Sequence, residues 1–323
     1  MKAIVQDVYG DVDVLQLREI PRPTPGDDEV LIRVRAAGVD QGVWHLMTGM
    51  PYLIRFFGFG LKKPKVPVRG REVAGVVESV GAGVTRFQPG NDVFGAGEGS
   101  FAEFVCAKES RLATKPANLT FEEAATVPIS GVTALQAVRD AGKVAAGQKV
   151  LVIGAGGGVG SFAVQLAKAF GAEVTGVCST SKVDLVRSLG ADQVIDYTGD
   201  DFARAGVLYD VILDTAGNRP LSKLRKALMP QGTLVIVGGE GGGKLTGGFE
   251  RSLRAPIVSL FSGQKLKGLV SVERYQDLEA LSSMIEAGSV KPAIDRVYRL
   301  AEAPAAIASL HEGRVRGKVV VSI

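Results

Sequence analysis

The period of the hydrophobic positions changes near Thr120 and divides the sequence into two regions. Before Thr120, segments such as VLIRVRAAGV (residues 30–39) alternate apolar and basic side chains, which is typical of a half-buried strand. REVAGVVESVG and DVFGAG continue this alternation, with turns at PTPGDD, GAG and QPGN between the runs. Many short strands with turns at this spacing predict a small antiparallel barrel or sandwich over about the first 120 residues.

From Thr120 onward, helical periodicity appears and then alternates with apolar strands. LTFEEAATVP has a helix-start signature, with Thr120 as the N-cap and Glu123 three residues later. GVTALQAVRDAG reads as a helix that ends at Gly142. From Lys149, β-branched runs alternate with amphipathic helices, which predicts βαβ units around a parallel sheet.

The last part of the chain returns to the first region. KLKGLVSV, near residues 265–272, is a strand candidate and YQDLEALSSMIEAG a helix. We expect the strand in GRVRGKVVVSI to rejoin the N-terminal domain. The fold class is therefore α/β, with a small β-barrel domain of residues 1–123 and 273–323 and a doubly wound parallel-sheet domain of residues 124–272.

Composition and charge narrow the class of protein. Among the 323 residues, 46% are hydrophobic and 22% charged, as in ordinary soluble domains, and no 18 apolar residues run together. The opening MKAIVQDVYG lacks a secretory signal pattern, and the two cysteines, Cys106 and Cys178, exclude a disulfide scaffold and a zinc site of paired thiolates. The net charge of +4 is spread along the chain, which argues against a nucleic-acid surface. We expect a cytoplasmic protein.

A glycine turn, VLVIGAGGGVGS (residues 150–161), lies between an apolar strand and a helix inside a βαβ unit. Its glycines Gly154, Gly157 and Gly160 give the pattern G-x-x-G-x-x-G. The dinucleotide-binding fingerprint is G-x-G-x-x-G, and Ala155 stands where its first glycine would be. A turn without Cβ atoms lets the backbone of residues 157–160 approach a pyrophosphate, and the helix dipole favours the negative charge. We predict dinucleotide binding by Gly157, Gly158, Val159 and Gly160. The alternative is a strand-to-helix turn without a ligand.

The segment CSTSKVD after the next strand predicts which dinucleotide binds. An NAD site places Asp or Glu about 20 residues past the glycines, whereas this chain has hydroxyls and a lysine there, namely Ser179, Thr180, Ser181 and Lys182. Such groups hydrogen-bond and neutralise a 2′-phosphate, which a carboxylate repels. We therefore predict NADP(H), with Tyr197 closing over the same phosphate. Alternatively, Lys182 is a solvated lysine in the first turn of the next helix.

With these residues in view, the chain resembles a zinc-free medium-chain dehydrogenase/reductase of the quinone oxidoreductase (zeta-crystallin-like) branch. The resemblance covers almost the whole length. The motifs that carry it are AAGVDQGVW, GREVAGVVESVGAGVTRFQPGNDVFG, FAEFV, LTFEEAATVPISGVTALQAV, GAGGGVGSFAVQLAKAFGA, LGADQVIDY and GRVRGKVVV. It implies a GroES-like catalytic domain, a Rossmann domain, a cleft between them and a homodimer or homotetramer. We also assign Arg316, in the closing motif, to cofactor binding.

Zinc alcohol dehydrogenases of the same superfamily are the rival family. The resemblance assigns their catalytic metal to a cysteine, a histidine and a later cysteine or aspartate; here those positions hold Asp40, Arg71 and Ile129 or Ser130. Arginine is always protonated and does not ligate metals. We predict a metal-free enzyme. Asp40 also replaces an asparagine that is frequent in the zinc-free branch, and Val43 replaces an aspartate, so the family's substrate contacts do not transfer directly.

Without zinc, the acceptors that take a hydride most easily are a quinone or an α,β-unsaturated carbonyl, because charge delocalises onto oxygen. We expect the nicotinamide to lie among Thr215, Gly217, Gly238 and Gly239, which follow the fourth and fifth strands, and Thr133, at the helix crossing between the domains. Open α/β sheets bind ligands at the carboxyl ends of their strands. Tyr52 and Asp40 are the candidate catalytic residues, and Tyr52 and the cofactor's ribose hydroxyl are the candidate proton donors. Trp44 and His45 are expected to line the substrate pocket. The alternatives are plain packing for Trp44 and His45, and a loop aromatic for Tyr52.

Two further segments bear on how an acceptor reaches the site. YLIRFFGFGLKKPKVP (residues 52–67) combines aromatic and basic residues without an acid, so it is a lid, a membrane contact or a core-covering loop. GGEGGGKLTGGFE (residues 238–250) has seven glycines and is a candidate gate. We predict an NADPH-dependent quinone or enone reductase. The alternatives are an NADP-dependent alcohol or aldehyde dehydrogenase of the same fold, and a non-catalytic NADPH-binding protein at a membrane surface.

Overall fold

The computed structural model describes residues 1–204, 206–239 and 242–323. These residues form two compact units. The first comprises Met1–Val132, Glu273–Gly288 and Pro292–Ile323, and the second comprises Thr133–Val272 and Ser289–Lys291. The chain leaves the first unit after Val132, later than the expected boundary after residue 123, and returns to it at Glu273.

The first segment of the chain is built mostly from short strands. They are β1 (Lys2–Val5), β2 (Gln16–Glu19), β3 (Glu29–Val39), β4 (Glu72–Val80), β5 (Asp92–Ala96), β6 (Phe104–Lys108) and β7 (Leu112–Thr114). The helices are α1 (Gln41–Thr48) and α2 (Phe121–Ala124), with 3₁₀ turns at Val12–Val14 and Glu109–Arg111 and a π-helical turn at Arg55–Phe59. The alternation in β3 has the expected cause, because Arg33 and Arg35 are exposed while Val34 between them is buried.

The middle segment alternates helices and strands. Its helices are α3 (Ser130–Leu135), α4 (Gly158–Ala169), α5 (Val183–Ser188), α6 (Leu221–Lys226) and α7 (Phe249–Leu260). Its strands are β8 (Lys149–Ile153), β9 (Glu173–Cys178), β10 (Gln193–Asp196), β11 (Tyr209–Asp214), β12 (Leu228–Ile236) and β13 (Lys265–Gly268). A π-helical segment at Gln136–Gly142 extends α3, and a 3₁₀ turn at Thr180–Lys182 precedes α5.

The last segment belongs mainly to the first unit. It contains α8 (Tyr275–Glu286), β14 (Ile294–Arg299), a 3₁₀ turn at Leu300–Glu302, α9 (Ala303–His311) and β15 (Lys318–Ser322). β15 pairs antiparallel with β3, with Val319 opposite Val39. The closing strand therefore rejoins the N-terminal region as predicted.

A seven-stranded sheet organises the first unit. Its order is β14-β15-β3-β4-β5-β7, and β6 also pairs with β3, while β1 and β2 form a separate hairpin. The long strand β3 thus pairs with β15, β4 and β6, and every pairing in this sheet except β14 with β15 is antiparallel. Buried aliphatic side chains from β3, β4, β5 and β6, including Ile32, Val73, Val93 and Val105, form one of its cores.

The second unit is a six-stranded parallel sheet in the order β10-β9-β8-β11-β12-β13. Counted from β8, this is the order 3-2-1-4-5-6 of a Rossmann fold, in which ligands bind outside the carboxyl ends of the strands at the point where the order reverses. The adjacent strands β8 and β11 meet at that point. The parallel sheet and its alternation with helices are therefore confirmed.

Three local features of the structure can be compared with the predictions from the sequence. Thr120 and Glu123 form the expected reciprocal capping box at the start of α2. The predicted strand near residues 265–272 ends earlier, at Gly268. Helix α7 was not predicted; it contains Pro256 and carries an exposed apolar stripe, so it lacks the usual signs of an inward-facing helix. No helix of the described residues is long and apolar enough to cross a membrane.

Candidate active site

The glycine turn between β8 and α4 brings the helix unusually close to the end of the strand. A Cβ at Gly160 would lie 2.1 Å from the carbonyl oxygen of Gly154, so only glycine fits at position 160. Gly154 itself has φ of +84°, in the left-handed region that favours glycine. This close approach is the packing role expected of a fingerprint glycine.

The start of α4 presents backbone donors from the same turn. Gly157 is the N-cap, and the first intrahelical bond runs from Ser161 N to Gly157 O at 2.9 Å. The N–H groups of Gly158, Val159 and Gly160 precede that bond and have no acceptor within the helix. The first turn carries no acidic residue, so these donors and the positive end of the helix dipole suit a pyrophosphate.

The side chain of Lys182 lies against the glycine turn. A Cβ at Gly156 would stand 2.7 Å from Cβ and 2.9 Å from Cδ of Lys182, so the aliphatic part of the lysine packs on the turn. Residues Thr180–Lys182 form the 3₁₀ turn directly after β9, where Ser179 is the N-cap. The structure therefore brings the predicted lysine and the predicted glycines together.

Hydroxyl groups surround the end of β9. Thr180 Oγ1 lies 3.0 Å from Thr198 Oγ1, and Ser179 Oγ lies 3.5 Å from Ser181 Oγ. Asp196, at the end of β10, accepts hydrogen bonds from Thr198 N and Oγ1 at 3.0 and 2.8 Å. Hydrogen bonds from Thr180 and Thr198 keep the pKa of Asp196 below its ordinary value. The nearby carboxylate is thus held by hydroxyls of this cluster.

Tyr197 lies beside this cluster and contacts Arg219, a cation that was not predicted from the sequence. Tyr197 donates its backbone N–H to Cys178 O at 3.1 Å, and 49% of the residue is exposed. The guanidinium of Arg219 lies 5.3 Å from the Tyr197 ring centroid, and the buried Nε of Arg219 has no hydrogen-bond partner in the structure. Arg219 follows β11, and no spacing rule for this fingerprint points to that position.

The residues predicted to hold the nicotinamide meet where β11 and β12 end. Thr215 Oγ1 donates to Ile153 O at 2.7 Å, and Gly217 has φ of +69°. A Cβ at Gly217 would lie 2.3 Å from the Gly238 carbonyl carbon, and a Cβ at Gly238 would lie 2.4 Å from Thr215 O. Gly239 follows directly. Glu240 and Gly241, inside the candidate gate of residues 238–250, lie outside the described residues.

A buried ion pair at the end of β11, beside these residues, is not predicted from the sequence. Arg251 Nη2 on α7 lies 2.5 Å from Oδ2 of Asp214, the last residue of β11. Asp214 Oδ1 accepts the backbone N–H of Gly217 at 3.1 Å, so the pair fixes the turn after β11. Nε and Nη1 of Arg251 are buried without a partner. Because 37 residues separate the two side chains, no local pattern reveals the contact.

Thr133, the remaining predicted nicotinamide residue, contacts the segment that follows β13 in the second unit. Its Oγ1 is 2.9 Å from Oγ of Ser271, beyond the end of β13. One turn later, Gln136 Nε2 donates a hydrogen bond to Val272 O at 2.8 Å, and Gln136 Oε1 accepts one from Val272 N at 3.2 Å. The segment after β13 is therefore tied to the helix that carries Thr133.

On the substrate side, in the first unit, Asp40 and Arg71 form an ion pair. Asp40 is the N-cap of α1 and accepts the Gly42 N–H at 2.7 Å. Its Oδ1 lies 3.4 Å from Arg71 Nη1, whereas its buried Oδ2 has no partner. Arg71 Nη2 also lies 3.3 Å from Glu273, which in turn pairs with Arg111 at 2.9 Å. Asp40 therefore belongs to a largely buried chain of alternating charges.

The other residues predicted on the substrate side have defined partners. Trp44 stacks on His311 with ring centroids 3.6 Å apart, and His45 Nδ1 lies 2.9 Å from Met50 O. Tyr52 is 42% exposed, and the Arg55 guanidinium lies 4.8 Å from its ring centroid. Arg316, predicted to bind the cofactor, pairs with Asp295 at 3.3 Å in the first unit.

A second buried cluster of the first unit surrounds Glu72. The carboxylate accepts Ile129 N at 2.9 Å and Ser130 N at 3.4 Å, and it receives a hydrogen bond from Lys318 Nζ. Lys318 Nζ also donates to Ser130 Oγ at 3.1 Å. Burial raises the pKa of Glu72 to about 7, although the Lys318 ammonium acts in the opposite direction. This cluster joins β4, β15 and the start of α3.

The described residues were compared for groups of side chains that could bind a metal ion. Within residues 1–204, 206–239 and 242–323, no three His, Cys, Asp or Glu side chains are grouped so that they could hold a metal ion. Cys106 and Cys178 are free thiols, and burial raises the pKa of each to about 11.

Comparison with known proteins identifies both parts of the chain. Residues 26–117 match the family model of the alcohol dehydrogenase GroES-like domain, and residues 189–321 match that of a zinc-binding dehydrogenase. The chain is 32% identical over 338 residues to a chloroplastic quinone oxidoreductase of Triphysaria versicolor, covering 99% of this chain and 98% of the relative. The expected GroES-like and Rossmann domains are thus confirmed.

Solved structures of similar proteins cover the same length. The quinone oxidoreductase of Coxiella burnetii has a TM-score of 0.86 at 28% identity, covering 100% of this chain and 99% of the other. A mycobacterial protein complexed with NADPH has a TM-score of 0.84 at 27% identity, and an NAD-dependent alcohol dehydrogenase has 0.85 at 30%; each pair covers 100% of both chains. The chain belongs to the medium-chain dehydrogenase/reductase family, in its quinone oxidoreductase branch.

Proposed function

We propose that the protein transfers a hydride from NADPH to a quinone or an α,β-unsaturated carbonyl without a metal ion. The observation that carries this proposal is the ion pair between Asp40 and Arg71 at 3.4 Å, at two positions that the family resemblance assigns to zinc ligands. The relatives named as quinone oxidoreductases support the acceptor class.

The shape of the glycine turn fits a dinucleotide. A side chain at position 160 would collide with the end of β8, and the donors of Gly158, Val159 and Gly160 open into the turn without an acceptor in α4. We propose that these three backbone groups hold the pyrophosphate. Thr215, Gly217, Gly238 and Gly239 then orient the nicotinamide, because the Asp214–Arg251 pair fixes their turn.

The cluster after β9 favours NADPH over NADH. The position at which an NAD site has a carboxylate holds Ser179 and Thr180, and Lys182 packs on the glycine turn beside them. A 2′-phosphate carries negative charge and acceptor oxygens, which hydroxyls and an ammonium satisfy. We propose Ser179, Thr180, Ser181 and Lys182 as its ligands, with Tyr197 beside them. The mycobacterial structure solved with NADPH supports this assignment.

The chemistry of Arg71 supports the proposed independence from zinc. A guanidinium stays protonated and offers no lone pair to a metal, and here it is held between the carboxylates of Asp40 and Glu273. NADPH supplies the hydride, so the chain has to bind the acceptor, exclude water and provide a proton for the acceptor oxygen. We propose the hydroxyl of Tyr52, a residue that is 42% exposed, as the proton donor, with Asp40, Trp44 and His45 on the substrate side.

Steady-state assays with the purified protein test this proposal. We expect NADPH oxidation with 1,4-benzoquinone and with an alkenal, unchanged after dialysis against a zinc chelator, and little oxidation of simple alcohols with NADP. Activity on alcohols alone, or activity that zinc restores after chelation, would contradict it. NADPH binding without turnover of any acceptor would instead favour a non-catalytic binding protein.

A second candidate is an NADP-dependent alcohol or aldehyde dehydrogenase. The similarity to a solved NAD-dependent alcohol dehydrogenase, at 30% identity and a TM-score of 0.85, favours it. Without a metal, the alcohol needs another group to remove its proton, and the unpartnered Oδ2 of Asp40 is the side-chain candidate. The same acceptor and alcohol panel separates the two activities.

We propose a homodimer or a homotetramer whose contact uses helix α7 and strand β13. Leu253, Ile257, Leu260 and Phe261 expose 68%, 58%, 82% and 86% of their surfaces, and β13 is the edge strand of its sheet. An apolar helix stripe beside an open strand edge suits a second copy of the same chain. Light scattering of Leu260→Glu should give a smaller particle than the parent protein, whereas an unchanged mass would contradict the proposed contact.

We propose a cytoplasmic location. Cys106 and Cys178 are both free thiols, which a reducing compartment maintains. Fractionation of cells that carry the tagged protein tests this location.

A further inference from the structure

The segment Arg55–Lys65, here called the aromatic loop, displays apolar side chains to solvent. Phe56 is 73% exposed, Phe57 70%, Leu61 60% and Phe59 38%. Soluble proteins expose single apolar residues everywhere, but several large ones on one short loop mark an interaction surface. The loop therefore does not act as a cover that buries its own aromatic rings in a core.

Hydrogen bonds hold the backbone of the aromatic loop in place. The Tyr9 hydroxyl lies 2.9 Å from Phe59 O and 2.6 Å from Gly60 O, and Lys65 N donates to Phe59 O at 2.9 Å. Arg55 Nε donates to Gly49 O at 2.8 Å. The guanidinium of Arg55 also lies 4.3 Å from the Tyr9 ring centroid. The outward display is thus a property of an anchored loop.

The charged side chains of the aromatic loop itself are all basic. Residues 41–71 contain no Asp or Glu. The exposed lysines Lys62, Lys63 and Lys65 directly follow the apolar residues. The nearby carboxylate of Asp7 is paired with Arg18 at 2.7 Å. An apolar tip beside a cluster of lysines is the arrangement that binds the interface of an anionic bilayer.

We propose that the aromatic loop docks the protein on an anionic lipid surface. Phe56, Phe57 and Leu61 enter the boundary between headgroups and acyl chains, and the three lysines contact the headgroup phosphates. This proposal does not depend on the reaction above, because docking requires neither cofactor nor acceptor. If both proposals hold, the docked protein lies beside a bilayer in which lipophilic quinones dissolve.

Co-sedimentation with vesicles tests the docking. One set of vesicles is phosphatidylcholine alone, and the other contains phosphatidylcholine and phosphatidylserine in equal parts. We expect the parent protein to bind the second set much more strongly, and added salt to weaken that binding. The double variant Phe56→Ser, Phe57→Ser should lose about tenfold or more in partitioning, and Lys62→Gln, Lys63→Gln, Lys65→Gln about 100-fold, at roughly fivefold per lysine.

Matched controls change the same residue types elsewhere. Leu17→Ser replaces another exposed apolar residue on β2, and Lys149→Gln with Lys226→Gln replaces exposed lysines of the second unit. These variants should bind vesicles like the parent protein. Circular dichroism and NADPH binding show whether each variant is folded. In Phe57→Trp, the fluorescence should shift to the blue when anionic vesicles are added.

The opposing outcomes are distinct. If the parent protein does not bind anionic vesicles, or if the loop variants bind as well as the parent protein, the docking proposal is wrong. If the loop is instead a lid over the acceptor, the loop variants should have a lower kcat/KM for a soluble quinone, and the parent protein should not bind vesicles. That result would also overturn the docking proposal. Vesicle binding by a protein that reduces no acceptor would leave docking supported and reject only the proposed reaction.

Discussion

Arg71 and Asp40 face each other across 31 residues of sequence, with Arg71 Nη1 3.4 Å from Asp40 Oδ1. Glu273, from the returning segment, lies 3.3 Å from the other end of the same guanidinium. In the first unit, two positions that the family resemblance links to zinc are thus filled by a cation and its counter-ion. The reaction we propose therefore depends on the cofactor and on side-chain protons.

Replacing Asp40 by asparagine separates a structural role from a catalytic one. Asparagine also caps helices well, so Asp40→Asn should retain the cap of α1, while Asp40→Ala should lose about 1 kcal/mol of stability or more. For the proposed quinone reduction we expect Asp40→Asn to retain kcat within about threefold, because Asp40 is largely buried and hydrogen-bonded. A loss of about 100-fold or more in kcat at unchanged thermal stability would show that the carboxylate takes part in proton transfer.

Lys182→Ala should weaken NADPH binding by about 10- to 100-fold and leave NADH binding nearly unchanged, because a charge-assisted contact to the 2′-phosphate is lost. Fluorescence titration with both cofactors measures the ratio. Lys149→Ala, at an exposed lysine at the start of β8, is the matched control. An equal loss for both cofactors would show that Lys182 does not recognise the 2′-phosphate.

Gly160→Ala should lower stability by about 1–3 kcal/mol or more and abolish cofactor binding, because its Cβ would lie 2.1 Å from Gly154 O. A Cβ at Gly199 would meet no atom within 4 Å, so Gly199→Ala should be nearly neutral. Thermal melts with and without NADPH measure both effects. Normal NADPH stabilisation of Gly160→Ala would contradict the close approach of α4 to β8.

Tyr52→Phe removes the proposed proton donor while keeping the ring beside Arg55. We expect kcat for enone reduction to fall by about 100-fold or more, with little change in the KM for NADPH. Benzoquinone reduction should be less affected, because hydride transfer to a quinone gives a quinol anion, which is a weaker base than the enolate formed from an enone. Parent-like kcat for the enone would assign protonation to another group.

Glu72 should make stability depend on pH between about 4.5 and about 7. Its pKa is raised from an ordinary value of 4.5 to about 7, so the native state binds the proton more tightly than the unfolded state. The stabilisation is full below about pH 4.5 and is lost as the pH rises through about 7, a change on the order of 3 kcal/mol. Urea unfolding at pH 5 and pH 8 measures it. Glu72→Gln should lack this part of the slope, and identical slopes in both proteins would rule out the assigned titration.

Local sequence was sufficient wherever the determining interactions are local. The alternation of Arg33, Val34 and Arg35 predicted a half-buried strand, and Thr120 with Glu123 predicted a helix start. Helix α7 was not predicted because its largest aliphatic residues, Leu253, Ile257 and Leu260, face solvent and because Pro256 interrupts the helical pattern. A stripe that does not pack inward has no counterpart in the rules for an amphipathic core helix.

The parallel sheet, the glycine turn and the hydroxyl-rich segment after β9 could be predicted from the sequence, because backbone periodicity and turn chemistry act over a few residues. Which charges meet could be seen only in the folded chain. Glu72 and Lys318 pair across 246 residues, and Asp214 and Arg251 across 37. Such pairs form because a buried charge needs a partner, and the fold, not the spacing along the chain, selects which one is near.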